Sequence, residues 1–115
     1  MRTLRFIVDG QTVKQDPTCD FSGLFLNKDS GVCAEFIFSS EWNDKIKVAA
    51  FWSMLDREYE PQALDNNTCI IPVEAFSKAS FKIQVLGIGG HERLTTNKLV
   101  VCWTEKYGRQ KIVTV

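Results

Sequence analysis

Residues 32–52, VCAEFIFSSEWNDKIKVAAFW, restrict the possible folds more than any other stretch of the chain. Val32, Ala34, Phe36 and Phe38 alternate with Cys33, Glu35 and Ile37. A period of two places one set on a buried side and the other on a more open side, the pattern of a strand. Residues 39–44 then supply hydroxyls, carboxylates and an amide, groups that bond their own backbone and turn a chain. Trp42 stands inside that corner. A large ring in a polar turn is expected to fold back over the core as a plug. Residues 46–52 resume extended, apolar character, so the predicted unit is two strands joined by a tight corner.

The same period recurs on either side. Leu4, Phe6 and Val8 alternate with Arg5 and Ile7, and Asp9-Gly10 follows, a strong short-range hairpin signal. Residues 3–8 and 11–15 are therefore predicted to pair, with Asp16-Pro17 ending the hairpin because proline has no N–H to give a ladder. Residues 21–26, FSGLFL, fit either a short strand or an ordered loop that lays aromatics on a core edge. Residues 27–31, NKDSG, have turn chemistry. Past the central pair, residues 53–56 read as a turn and 57–64 as an edge strand, since Pro61 bars a central one. Asp65-Asn66-Asn67 reads as a turn and residues 68–71 as a short strand. Pro72 then opens one helical turn near residues 73–77. Phe81, Ile83 and Val85 mark a further strand, Gly87-Ile88-Gly89-Gly90 a hairpin turn or bulge, and residues 97–104 another strand. Residues 111–115, KIVTV, fit a last short strand or a tail.

Seven to nine short strands with turn signals about every 8–12 residues predict an all-β fold, an antiparallel sandwich or barrel. Helical periodicity and the long crossovers of a parallel α/β sheet are missing from the pattern. The chain has 115 residues, and residues 1–115 are expected to form a single domain. Eight Phe, three Trp and two Tyr supply a core without staples. Fourteen basic and fourteen acidic residues cancel, so no long-range field draws nucleic acid or an anionic membrane, and neither is expected as a partner. No run approaches the roughly 20 apolar residues that span a bilayer. The opening MRTLRFIVDGQTV lacks the apolar core of a signal peptide, which leads to the expectation of a cytoplasmic protein.

Residues able to do chemistry are few. Cys19, Cys33, Cys69 and Cys102 are widely spaced and His91 has no cysteine close by, unlike a zinc site. They are read as four reduced thiols, at least two of them in the cores of strands, with disulfides as the alternative. The glycine-rich residues 87–90 lead into a strand, whereas a phosphate cradle leads into a helix. His91 and Glu92, as neighbours on a strand, would point to opposite sides and form no acid–base pair. Cys33 or Cys102 as a nucleophile would need His91 beside it. Ser53 lacks a glycine-flanked elbow. Asp56, Glu58 and Glu60 read as a solvated turn and edge. No catalytic, cofactor-binding or metal residues are assigned, and the expectation is a protein that is not an enzyme. Trp52, Tyr59, Trp103 and Tyr107 could form a platform for sugar rings if they face water together, which makes a carbohydrate-binding module the alternative function.

Longer motifs carry a resemblance. Residues 35–44, EFIFSSEWND, are followed by Lys47, Ala49 and Phe51, then by residues 69–72, CIIP. Residues 81–87, FKIQVLG, and 95–101, TTNKLVV, complete the pattern. Over roughly residues 4–101 the chain resembles small immunoglobulin-like β-sandwich modules encoded in phages and prophages of Gram-positive bacteria. These stand near the start of baseplate or tail-fibre structural proteins, or as short reading frames. The resemblance implies a non-enzymatic structural or docking module acting through protein–protein contacts, with other phage structural proteins or a second copy as partner and a virion as a destination. In that family a long linker and a fibrous segment often follow the module. Here residues 111–115 close the chain, so a free-standing module or the start of a longer protein is expected.

Overall fold

Asp9-Gly10 turns the chain as its chemistry predicts. In a computed structural model, which describes residues 2–22 and 31–102, Gly10 takes φ +60° between strands β1 (Arg2–Asp9) and β2 (Thr12–Gln15). The two pair antiparallel, with Phe6 opposite Gln15 and Asp9 opposite Thr12. Strand β3 (Val32–Phe38) lies on the other side of β1 and runs parallel to it. This corrects the expectation of a wholly antiparallel fold. The chain between Gln15 and Val32 is long enough to recross the sheet, a step that needs a dozen or so residues but no helix. Parallel pairing in register sets Leu4 beside Ala34 and Phe6 beside Phe36. The two phenyl rings stack at 5.4 Å, and Phe21 meets Phe6 edge-on at 5.4 Å. Such pairs contribute about 0.5–1.5 kcal/mol beyond the area they bury.

Strand β4 (Ile46–Trp52) belongs to a second sheet. The first sheet has the order β2-β1-β3-β6, where β6 is Thr68–Ile70. The second has β5 (Gln62–Ala63), β4 and β7 (Ser80–Gly89), followed by β8 (Glu92–Thr95) and β9 (Leu99–Cys102), which lie end to end along β7. The chain is thus all-β, with nine strands among the described residues and two sheets whose inner sides form one core. Leu4, Phe6, Val8, Ala34 and Phe36 fill it from one sheet, and Ala49, Phe51, Phe81, Ile83 and Val85 from the other. The helical segments among the described residues are two 3-10 turns, Ser40–Trp42 and Val73–Ser77. The second sits where the helical turn after Pro72 is predicted. Among the described residues no helix is long and apolar enough to cross a membrane.

Trp42 is the plug that the sequence predicts, with no solvent exposure. Its Nε1 donates to the Gly10 carbonyl at 2.8 Å, tying the corner to the first hairpin. Its ring rests on Gly87, where a Cβ would come within 2.7 Å of it. A Cβ on Gly89 would come within 2.6 Å of the Asp44 carbonyl oxygen. Gly87 and Gly89 are therefore strand residues in regular register that let the corner approach, not the hairpin turn or bulge expected of residues 87–90. The turn is one step later, at Gly90 (φ +58°) and His91 (φ +70°).

Short polar residues close the sides of the sandwich. Asn66 and Asn67, at φ +57° and +63°, carry the chain from β5 in one sheet to β6 in the other. Asp65 and Thr68 exchange backbone bonds across that turn. On the opposite side, the Asn97 amide oxygen accepts from Val13 N–H at 2.8 Å, joining the β2 edge to the second sheet. Pro61 limits residues 57–64 to the two-residue β5 and a single bridge between Glu58 and Trp52. The expectations for residues 23–30, 103–104 and 111–115 lie outside the described residues.

Candidate functional site

The most distinctive exposed feature is a turn carrying two apolar residues. Ser53 anchors it: its Oγ accepts from Leu55 N–H at 3.2 Å and Arg57 N–H at 3.0 Å, and its own N–H donates to Arg57 C=O at 2.8 Å. Asp56 takes φ +64°, a conformation that Asp tolerates better than most residues. Its carboxylate accepts from Lys82 Nζ at 2.9 Å and Lys98 Nζ at 3.4 Å. The hydrogen bond and charge of Lys82, then those of Lys98, hold the Asp56 carboxyl below the usual aspartate value. Held this way, the turn presents Leu55 at 93% exposure with Met54 beside it.

A groove of about 780 Å³ separates this turn from the Val73–Ser77 turn and the start of β7. Met54, Leu55 and Tyr59 line one wall, and Glu74, Lys78 and Ala79 the other. The Tyr59 N–H donates to Phe51 C=O at 2.8 Å, and the ring packs against the core, which fixes that wall to the sandwich. Arg57 also lines the groove. None of the ion pairs among the described residues includes Arg57, Glu74 or Lys78. The groove thus offers a largely apolar wall with two cations and one carboxylate open to a partner. Its volume is that of a site for a small ligand or a few side chains.

The expected sugar platform is not assembled from the aromatics that can be placed. Trp52 is opposite Glu58 and faces outward, whereas Tyr59 follows Phe51 to the inner side. Lys98 Nζ also sits 3.7 Å from the centre of the Trp52 ring, a cation–π contact on the surface a sugar would need. Trp103 and Tyr107 lie outside the described residues. Chain comparisons with protein-family models, with curated proteins and with solved structures find no match.

The other candidate residues are dispersed. His91 is exposed in the β7–β8 turn, and Glu92 pairs with Lys45 at 3.2 Å. Cys102 is opposite Ser80, at the end of β7 remote from His91, and Cys33 is opposite Ile70 in the first sheet. The Ser53 hydroxyl is occupied by its own turn. Among the described residues, no three His, Cys, Asp or Glu side chains gather as they would around a metal ion. The cysteines are not in disulfides, but Cys19, Cys33 and Cys69 are only half-buried and Cys102 is exposed. Cys69 packs against the core from β6 but Cys33 and Cys102 do not, which leaves one thiol at a strand core where at least two are expected. Burial, with a smaller contribution from Cys33, pushes the Cys69 thiol up to about 12, so it stays protonated and unreactive. Sequence reasoning missed the groove. The available signal was Met54-Leu55, two apolar residues between Ser53 and Asp56 in a turn.

Proposed function

We propose that the chain is a non-enzymatic docking module, an immunoglobulin-like β-sandwich of a phage or prophage tail or baseplate, and that it acts through protein–protein contact. The observation that carries this reading is Leu55, almost fully exposed on a turn pinned by Ser53 and Asp56 beside an apolar groove. A rigidly held apolar side chain loses little entropy when a partner covers it. Arg57 and Lys78 outnumber Glu74 around the groove, which favours a partner segment with an apolar side chain next to a carboxylate. Two sheets packed face to face support the sandwich, and the resemblance over residues 4–101 supports the tail or baseplate setting. A glycan platform is the weaker reading, because Lys98 covers the ring of Trp52.

The test is calorimetric binding to a structural protein encoded beside this one. Leu55→Asp and Arg57→Glu are expected to raise Kd at least about tenfold, the scale of an anchor residue. Lys14→Glu, on β2 and remote from the groove, is expected to leave it unchanged. Equal affinity in all variants, or no binding by the unaltered chain, overturns the proposal. Glycans that quench tryptophan fluorescence would favour the alternative.

A further inference from the structure

The outer side of the second sheet is unusual in its chemistry. An antiparallel sheet with one side open to water normally alternates apolar and polar residues. In β4 the inner side carries Lys47, Ala49 and Phe51, but the outer side carries Ile46, Val48, Ala50 and Trp52, with no polar residue among them. Pairing extends this surface. Ile88 lies beside Ile46, Leu86 and Ala63 beside Val48, and Val100 beside Lys82 in the row of Trp52, with Gln84 beside Ala50 and Thr95 beside Leu86 as polar members. Ile46 is 76% exposed and Ile88 58%. A strand whose outer side is wholly apolar, and whose inner side is apolar but for Lys47 at one end, has the composition of one held between two layers.

The charges on this surface suggest what the other layer is. Lys82 and Lys98 are both bound to Asp56. Arg93 and Glu58 take part in none of the ion pairs among the described residues. Arg93 pairs with Ile88 in the first row, on the outermost strand of one edge. Glu58 is beside Trp52 in the last row, on the opposite edge. One open positive and one open negative charge thus occupy diagonally opposite corners of a surface that is apolar along β4 and mixed beside it. We propose that this surface is covered by the same surface of a second copy, related by a two-fold axis that sets each Arg93 against the partner copy's Glu58.

The geometry is consistent with known sheet packing. The rows of Ile46 and Trp52 are roughly 20 Å apart, and the corner strands roughly 14 Å apart, from standard strand spacings. A two-fold axis exchanging those corners passes close to the Ala50–Gln84 row, where Ala50 is already covered by its own chain and leaves a low centre between the exposed Ile46, Ile88 and Val100. It makes the strands of the two copies cross at roughly 70°, near the orthogonal class of sheet packing. The chain has no net charge, so two copies do not repel as whole bodies. The surface covers only about 300 Å² in outline, below a standard interface, so the dimer is expected to be weak, with Kd of roughly 10–500 µM. The inference shares with the docking reading the premise that sandwich surfaces serve protein contacts, but it makes no use of Leu55 or the groove.

Sedimentation equilibrium of the full chain from about 1 µM to 1 mM is the test, over the range that brackets that affinity. A monomer–dimer equilibrium is expected. Arg93→Glu and Glu58→Arg should each raise the dimer Kd about tenfold or more, and the double exchange should return it to within about threefold of the original. Ile88→Lys should abolish the dimer while leaving the circular dichroism spectrum and Tm of a folded chain. A monomer at every concentration overturns the proposal, even if a different protein covers the surface. A dimer insensitive to these changes overturns it as well. Either result leaves groove binding to a structural protein to succeed or fail independently.

Discussion

Thr96 shows how one hydroxyl can take the place of a backbone group. Between β8 and β9 the edge beside β7 bulges, and a plain ladder would leave the Val85 N–H without an acceptor. The buried Thr96 Oγ1 accepts it at 2.9 Å, while Thr96 N–H donates to Val85 C=O. Leaving a buried N–H unmade costs about 1–3 kcal/mol. Thr96→Val, nearly equal in shape, is expected to lose that much stability in urea unfolding, and Thr96→Ser markedly less. Asn97 works next door by the same logic, its amide standing in for a strand partner of Val13. These roles could not be read from TTN in the sequence, because a hydroxyl's acceptor role depends on which N–H folding brings to it.

At the scale of elements, β7 and the corner at residues 39–44 fit one another. The Trp42 ring needs a flat surface, and Gly87 provides it. Gly87→Ala forces a methyl to within 2.7 Å of a ring that is itself tied to Gly10. Overpacking of this kind costs about 1–3 kcal/mol. The expected outcome is a lower urea midpoint with an unchanged m-value, whereas Gly90→Asn, in an open turn that suits asparagine, should be nearly neutral. The alternation in β1, β3 and β7 was legible because side-chain direction is a local property of a strand. The length of β7 was not. Glycines in a strand and glycines in a turn look alike until the neighbour that needs their missing Cβ is known.

For the molecule as a whole, four carboxyls brace the loops, Asp16 and Asp56 by bonds to strand residues and Asp20 and Glu41 within their own loops, and all are held below their ordinary values. Asp16 is lowered first by the Thr18 N–H, then by the Thr18 hydroxyl and Arg5. The Ser22 N–H and hydroxyl lower Asp20, a hydrogen bond with Ser39 lowers Glu41, and Lys82 lowers Asp56. An acid whose value falls on folding stabilises the fold above its unfolded value and loses that effect as pH drops through the folded one. Tm is therefore expected to hold from pH 7 to about 5 and fall below about 4, with a shallower fall in Asp16→Asn. Cys69 has the opposite sign. Its raised thiol withdraws stability as pH climbs above the ordinary thiol value of about 8.5 toward 12.

The all-β class, the first hairpin, the turn after Pro72 and the burial of Trp42 were all available along the chain, because period, turn chemistry and amphipathic rings act over a few residues, whereas the same pattern fits a sandwich or a barrel. Folding alone assigned the rest. Nothing local told β3 to run parallel to β1, since either direction keeps Phe36 inside. Nothing local distinguished the aromatic rings, which share one composition but divide between the core and a lysine-covered outer side. The groove beside Leu55 and the apolar outer side of the second sheet join residues far apart in sequence, and such surfaces exist only once the strands have chosen their neighbours.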